Sequence, residues 1–213
     1  MKRQKVLLWV ALLAAGSAVT VVAARGEHQA MSGMHGTGAA AVFNAKGELE
    51  RPHGYRTWVF IGTPLTPNDM NDGHAAFPEF HNVYLDPASY DYYKEHGEFR
   101  DGTVIVKELV SVGSKAAASG KGYFEGEYLG VEAAVKDKSR FGKDTGYWAF
   151  FRFTDEEAAK EGRSAPPHRT AQAAPGSACS SCHQPGAAQD SIFTQYYPVL
   201  RAAKNAQGVP EDK

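Results

Sequence analysis

Cys179, Cys182 and His183 stand together as CSSCH, and no other cysteine occurs in the 213-residue chain. In a C-x-x-C-H spacing the two thiols can add to the two vinyl groups of a haem while the adjacent imidazole reaches the iron. Three other chemistries use cysteines at similar spacing: a disulfide in an exported protein, a redox-active C-x-x-C pair, and part of a zinc site. A redox pair normally follows a strand in a βαβ unit, and zinc needs further ligands. The Pro- and Ser-rich approach to Cys179 offers neither. One covalently bound c-type haem, with His183 as the proximal iron ligand, is therefore the expected cofactor.

Two charged side chains fall where strand alternation would place apolar ones. In Thr103 to Val112, Ile105, Lys107 and Leu109 share a face. A lysine there either guards an edge strand, its stem covering apolar surface, or is a desolvated amine available as a nucleophile. Glu132 shares a face with Tyr128, Gly130 and Ala134. It faces solvent, or it points into a haem pocket where a carboxyl of raised pKa would pass protons to or from a substrate. Periodicity alone does not choose, and the edge and solvent readings are the commoner ones for such residues.

The second axial position of the iron separates electron carriers from ligand-binding sites, since carriers usually fill it with methionine or a second histidine. Apart from the initiator, the methionines are Met31, Met34 and Met70, none in a patterned element. An open, five-coordinate iron is the expectation, with His74 and His81 as the bis-histidine alternative.

The elements that must position these residues are mostly strands. Arg56 to Ile61, Phe80 to Leu85, Thr103 to Val112, Tyr123 to Val135 (one bent strand or two) and Tyr147 to Phe153 carry the β-branched and aromatic patterning of strands. Between them, Asp86 as N-cap, Pro87 at the first position and Gly97 as terminator bracket a short helix. Asp101-Gly102 is a turn, and the glycine-rich stretch 113 to 122 reads as a loop. Thr154 with Glu157 has the form of a capping box for a helix ending near Gly162, after which Pro166-Pro167 leads toward the cysteines. Ser191 to Lys204 has helical spacing that restarts near Pro198. The predicted class is α+β, mainly antiparallel sheet with a few short helices, and the haem motif lies near the C-terminus.

Outside that domain, assigned to residues 42–213, the N-terminus reads as export machinery. Lys2, Arg3 and Lys5 precede an apolar run from Val6, with small residues through Ala24, so residues 1–24 are expected to be a signal peptide and the protein periplasmic. The alternative is an uncleaved anchor, since the run approaches spanning length. Residues 25–41 read as a flexible linker, whose His28, Met31, Met34 and His35 lack the fixed geometry of a copper site. The formal net charge of −1, with acidic and basic residues mixed along the chain, leaves no footprint for nucleic acid.

In order and spacing, the segments YRTWVFIGTPLTPNDMNDG, VYLDPASY, GEFRDGTVIVKELVSVG, YLGVEAAVKD, WAFF, CSSCH and FTQYYPVLRAAK resemble the cytochrome P-460 family, nearest its hydroxylamine-oxidising members. The likeness covers nearly the whole chain beyond the leader. It implies a haem whose meso carbon is bonded to the lysine matching Lys107, and a carboxylate matching Glu132 that assists proton transfer. Cys179, Cys182 and His183 match the thioether pair and the proximal ligand. The implied activity is oxidation of hydroxylamine to nitrous oxide, or to nitric oxide or nitrite, with nitric oxide as ligand or intermediate. An external acceptor such as a soluble cytochrome c, and a homodimeric state, are also implied. The β-sheet cytochromes c′, which bind nitric oxide without the lysine bond, are the related alternative, and a plain electron-transfer cytochrome is the third. The His/Met tether and the charged stretch Asp155 to Arg163 match no feature of the family.

Overall fold

The computed structural model describes residues 41–206, Gly162 excepted, and these fall within one compact unit. The leader, and the linker apart from Ala41, lie outside the described residues. In chain order the elements are β1 (Leu49–Glu50), β2 (Val59–Gly62), β3 (Phe80–Leu85), α1 (Pro87–His96), β4 (Val104–Ala117), β5 (Gly120–Lys136) and β6 (Trp148–Arg152). They are followed by α2 (Glu156–Lys160), β7 (Thr170–Ala171), α3 (Gly176–Gly186) and α4 (Pro198–Ala206). Strands β2 to β6 form one antiparallel sheet in sequence order, and β1 pairs with β7 as a small second sheet. The α+β expectation holds.

Locally encoded elements stand where the sequence put them. Asp86 accepts a hydrogen bond from the Ser89 amide at 2.9 Å, Pro87 opens α1, and Gly97 closes it at φ 70°. The Asp86 carboxylate also binds the Val104 amide at 2.9 Å, so the helix cap ties α1 to the start of β4. Three readings need correction. The strand expected from Arg56 begins only at Val59, because left-handed Gly54 opens a 3-10 turn over Tyr55–Thr57. The stretch 113 to 122 is no loop: β4 and β5 run on into it and leave only a tight turn. Gly113 and Gly126 face each other so closely that a Cβ on either would lie 2.7 Å from the other's Cα. The N-cap of α2 is Asp155, whose carboxylate accepts from the Ala158 amide at 2.9 Å, and not Thr154, whose buried hydroxyl donates to the Val131 carbonyl.

The sheet has apolar cover on both faces. On one, Val104, Val106, Val131, Ala133, Val135, Phe151 and Phe153 pack with Leu49, Tyr55 and Ala171. On the other, Val83, Leu85, Ile105, Ala134 and Trp148 pack against Tyr93 and Phe99 at and beyond α1 and Leu200 and Ala203 of α4. Burial of each such aliphatic side chain contributes about 1.5–3 kcal/mol. This second face changes character along the strands, and its far end carries the charged residues described next. Among the described residues no helix is long and apolar enough to cross a membrane.

Candidate functional site

Ladder register brings the two anomalous residues side by side. Lys107 on β4 is paired with Glu132 on β5, and Glu132 with Arg152 on β6, so three charged side chains form a row across neighbouring strands. Lys107 Nζ lies 2.7 Å from Glu132 Oε2, and Arg152 Nε lies 2.9 Å from Glu132 Oε1. The guanidinium also reaches Glu156 of α2, at 3.0 Å. The edge-strand account of Lys107 fails because β4 is the middle strand of five. The solvent-facing account of Glu132 fails as well, since its side chain is 19% exposed.

Burial alone would raise the Glu132 carboxyl, but the Lys107 ammonium and then the Arg152 guanidinium outweigh it and hold Glu132 below the usual carboxylate range. The raised pKa imagined for a pocket carboxylate is therefore reversed while Lys107 keeps its charge. Lys107 Nζ also stands 5.6 Å over the Phe77 ring. Glu132 and Arg152 line a cleft of about 520 Å³ with Phe77, Leu109, Thr154 and Glu156 among its walls, a volume typical of ligand and cofactor pockets. Gly130 keeps this region closely packed: a Cβ there would run into the Thr154 side chain.

The CSSCH segment is helical, which the Gly-, Ser- and Pro-rich sequence did not signal, and Pro185 is carried inside α3. A spacing of three residues puts Cys179 and Cys182 on one side of that helix. Both thiols are free, Cys179 half-buried and Cys182 exposed, and burial pushes the Cys179 thiol up, with Glu132 adding to it. His183 Nδ1 lies 2.7 Å from the Ser191 carbonyl. Donating there fixes the tautomer and leaves Nε2 as the free ligand atom. Burial lowers the imidazole's proton affinity despite that bond, with Lys107 adding to the effect, so the ring stays neutral as a metal ligand must. Its faces meet Phe150, at 4.3 Å between centroids, and Phe193, at 4.8 Å. Phe150 and Arg152 alternate onto the same face of β6, so the histidine stands beside the charged row, and both Cys179 and His183 sense Lys107 and Glu132 electrostatically.

Ser191 was not anticipated. It is held by a two-residue turn in which Asp190 (φ 49°) and Ser191 (φ 60°) are both left-handed, closed by the Ile192 amide on the Gln189 carbonyl at 2.7 Å. Lys136 Nζ binds Asp190 at 2.5 Å and the Phe99 carbonyl at 2.9 Å, and the Tyr93 hydroxyl donates to Gln189 at 2.8 Å. The other candidate axial ligands are not gathered in. Met70 is 74% exposed and His74 lies on the same exposed loop. His81 pairs with Leu109 on the site's face, with its Nε2 3.4 Å from Glu79. Among the described residues no cluster of three or more His, Cys, Asp or Glu exists to complete a zinc site.

The donor set, two free thiols on one helix side and a neutral imidazole with one nitrogen left over, fits a covalently carried haem. A family model for Cytochrome P460 matches residues 52–194, about two-thirds of the chain and all of the sheet β2 to β6. The chain belongs to the Cytochrome P460 family. Membership brings a haem cofactor. No curated protein matches the sequence. The row Lys107–Glu132–Arg152 and helix α3 come together on one face of the sheet, and Arg152 is the member that sequence reading missed. Its signal was alternation: in Trp148–Arg152 it shares a face with two buried or half-buried aromatics.

Proposed function

We propose that this protein is a periplasmic enzyme that oxidises hydroxylamine at a haem held by thioether bonds from Cys179 and Cys182, ligated by His183, and bonded through a meso carbon to Lys107 Nζ. The observation that carries this reading is the 2.7 Å approach of Lys107 to Glu132 on the face that also meets His183. When bound, the haem supplies the open iron coordination site and the electron relay for the reaction. Converting two hydroxylamine molecules to nitrous oxide and water releases four electrons and four protons; release of nitric oxide, or further oxidation to nitrite, are the other ends of the same chemistry. Glu132, ionised and at the cleft, is the proton acceptor. Phe77 and Leu109 are apolar walls of the same cleft. Electrons leave to an external carrier such as a soluble cytochrome c, and the protein works as a homodimer after export under the direction of residues 1–24.

The decisive test is protease digestion of the haem-loaded protein followed by mass analysis of the haem-bearing fragment. The proposal expects the Lys107 peptide to remain joined to the Cys179–His183 peptide through the haem; separate peptides would overturn the cross-link. A second reading rests on the ion pair itself, which satisfies Lys107 and Glu132 without any new bond. In that case the protein binds nitric oxide, as the β-sheet cytochromes c′ do, and does not turn over hydroxylamine.

A further inference from the structure

Glu132 has two carboxylate oxygens, and the fold gives each its own cation from a different strand: Oε2 to Lys107 on β4, Oε1 to Arg152 on β6. The two cations differ in permanence. An amine joined to a conjugated carbon loses most of its basicity, so the proposed Lys107 bond would remove one of the two charges. A guanidinium stays charged at any pH the fold survives. Arg152 is itself shared, because its Nη1 binds the more exposed Glu156 at the start of α2.

We propose that Arg152 is the positioning residue for Glu132: it aims the carboxylate into the cleft and sets its proton affinity once Lys107 is bonded, with Glu156 as an external counterweight. This rests on the reading of Glu132 as proton acceptor. The groups around Glu132 are Lys107 from β4, Arg152 from β6, Glu156 and Lys160 from α2, Cys179 and His183 from α3, and Glu79 across the cleft. Of these, Arg152 alone combines a permanent charge with a direct hydrogen bond to Glu132. Losing it should raise the carboxyl's midpoint, and losing Glu156 should lower it by freeing the guanidinium.

The test is a pH titration of the carboxyl band by difference infrared spectroscopy on the haem-loaded protein, the band being assigned by its loss in Glu132→Gln. Arg152→Gln should move the midpoint up by about one to three units, Arg152→Lys up by less, and Glu156→Gln slightly down. The acid limb of hydroxylamine turnover should follow the same order. Unmoved midpoints, or Arg152 and Glu156 variants moving in the same direction, would overturn the inference. If Arg152→Gln does not fold, the opposed signs of Arg152→Lys and Glu156→Gln decide. The functional reading fails separately: a wild-type protein that does not oxidise hydroxylamine refutes it whatever the infrared band does.

Discussion

Lys107 and Glu108 are neighbours in β4, yet they look out on opposite faces of the sheet, and each meets a different kind of carboxylate arrangement. Behind the sheet, Glu108 is buried and accepts hydrogen bonds from the Tyr55 hydroxyl at 3.1 Å and from Arg56 at 2.9 Å. Burial and then Glu108 push the Tyr55 phenol far up, so the hydroxyl keeps its proton and stays a donor. In front, Glu132 is held as tightly but borders a cleft, and one of its two partners is a primary amine that can react. Polar burial by itself therefore marks no reactive site. What distinguishes the front cluster is space beside it and a partner whose charge can be removed.

Glu132→Gln sharpens that contrast most. Removing a general base should slow hydroxylamine turnover by about 10²–10⁴-fold, with haem attachment retained and hydroxylamine still able to bind. Turnover within a factor of three of wild type, measured at saturating substrate, would return Glu132 to the same class as Glu108.

Lys107→Leu comes next. Replacing half of a partly buried ion pair leaves Glu132 with Arg152 still bound, so stability should change by no more than about 1–2 kcal/mol in urea melts, while the haem spectrum should change in form. An unaltered spectrum would show that no bond to Lys107 existed. Glu108→Gln should do the reverse: a loss of about 1–3 kcal/mol, from a charge-assisted bond to Arg56 replaced by a weaker one, with turnover little affected.

The smallest effect is in pH dependence. Glu132 has a lowered pKa in the folded protein, so the stability it contributes is present above the ordinary carboxyl range, about 4.3, and is lost as pH falls through its lower folded value. The stability gap between the wild type and Glu132→Gln, read from denaturant midpoints of protein without the Lys107 bond, should narrow below about pH 4. A gap that is constant from pH 7 to pH 3 would mean that Lys107 and Arg152 do not hold the carboxylate.

The sequence made α1 legible because Asp86, Pro87 and Gly97 are local signals that agree, and β3 was bounded to the residue. Thr154 misled because an equally good cap, Asp155, stands beside it, and only the distant Val131 carbonyl decides between them. Gly113 misled because glycine marks both loops and places where two backbones crowd together, as here against Gly126. The chemistry of CSSCH could be read from spacing, but its helix could not, given Pro185 and the weak helix formers around it. Lys107 and Glu132 were visible as residues out of pattern. Their pairing was not, since register between strands is set by contacts 25 positions apart in the chain. Arg152 was legible only through alternation in β6, and Ser191 acts through geometry that has no short-range signature.

The Asp190–Ser191 turn has a thermodynamic consequence. The carbonyl that orients His183 does not belong to the helix that carries the cysteines; it hangs from the sheet through Lys136 and from α1 through Gln189 and Tyr93. The imidazole can present Nε2 in a fixed direction only after those distant elements have docked. Any group that binds Nε2 in that orientation therefore draws its affinity partly from the folded state and returns it as folding stability, so ligation by His183 and global unfolding become a single linked equilibrium.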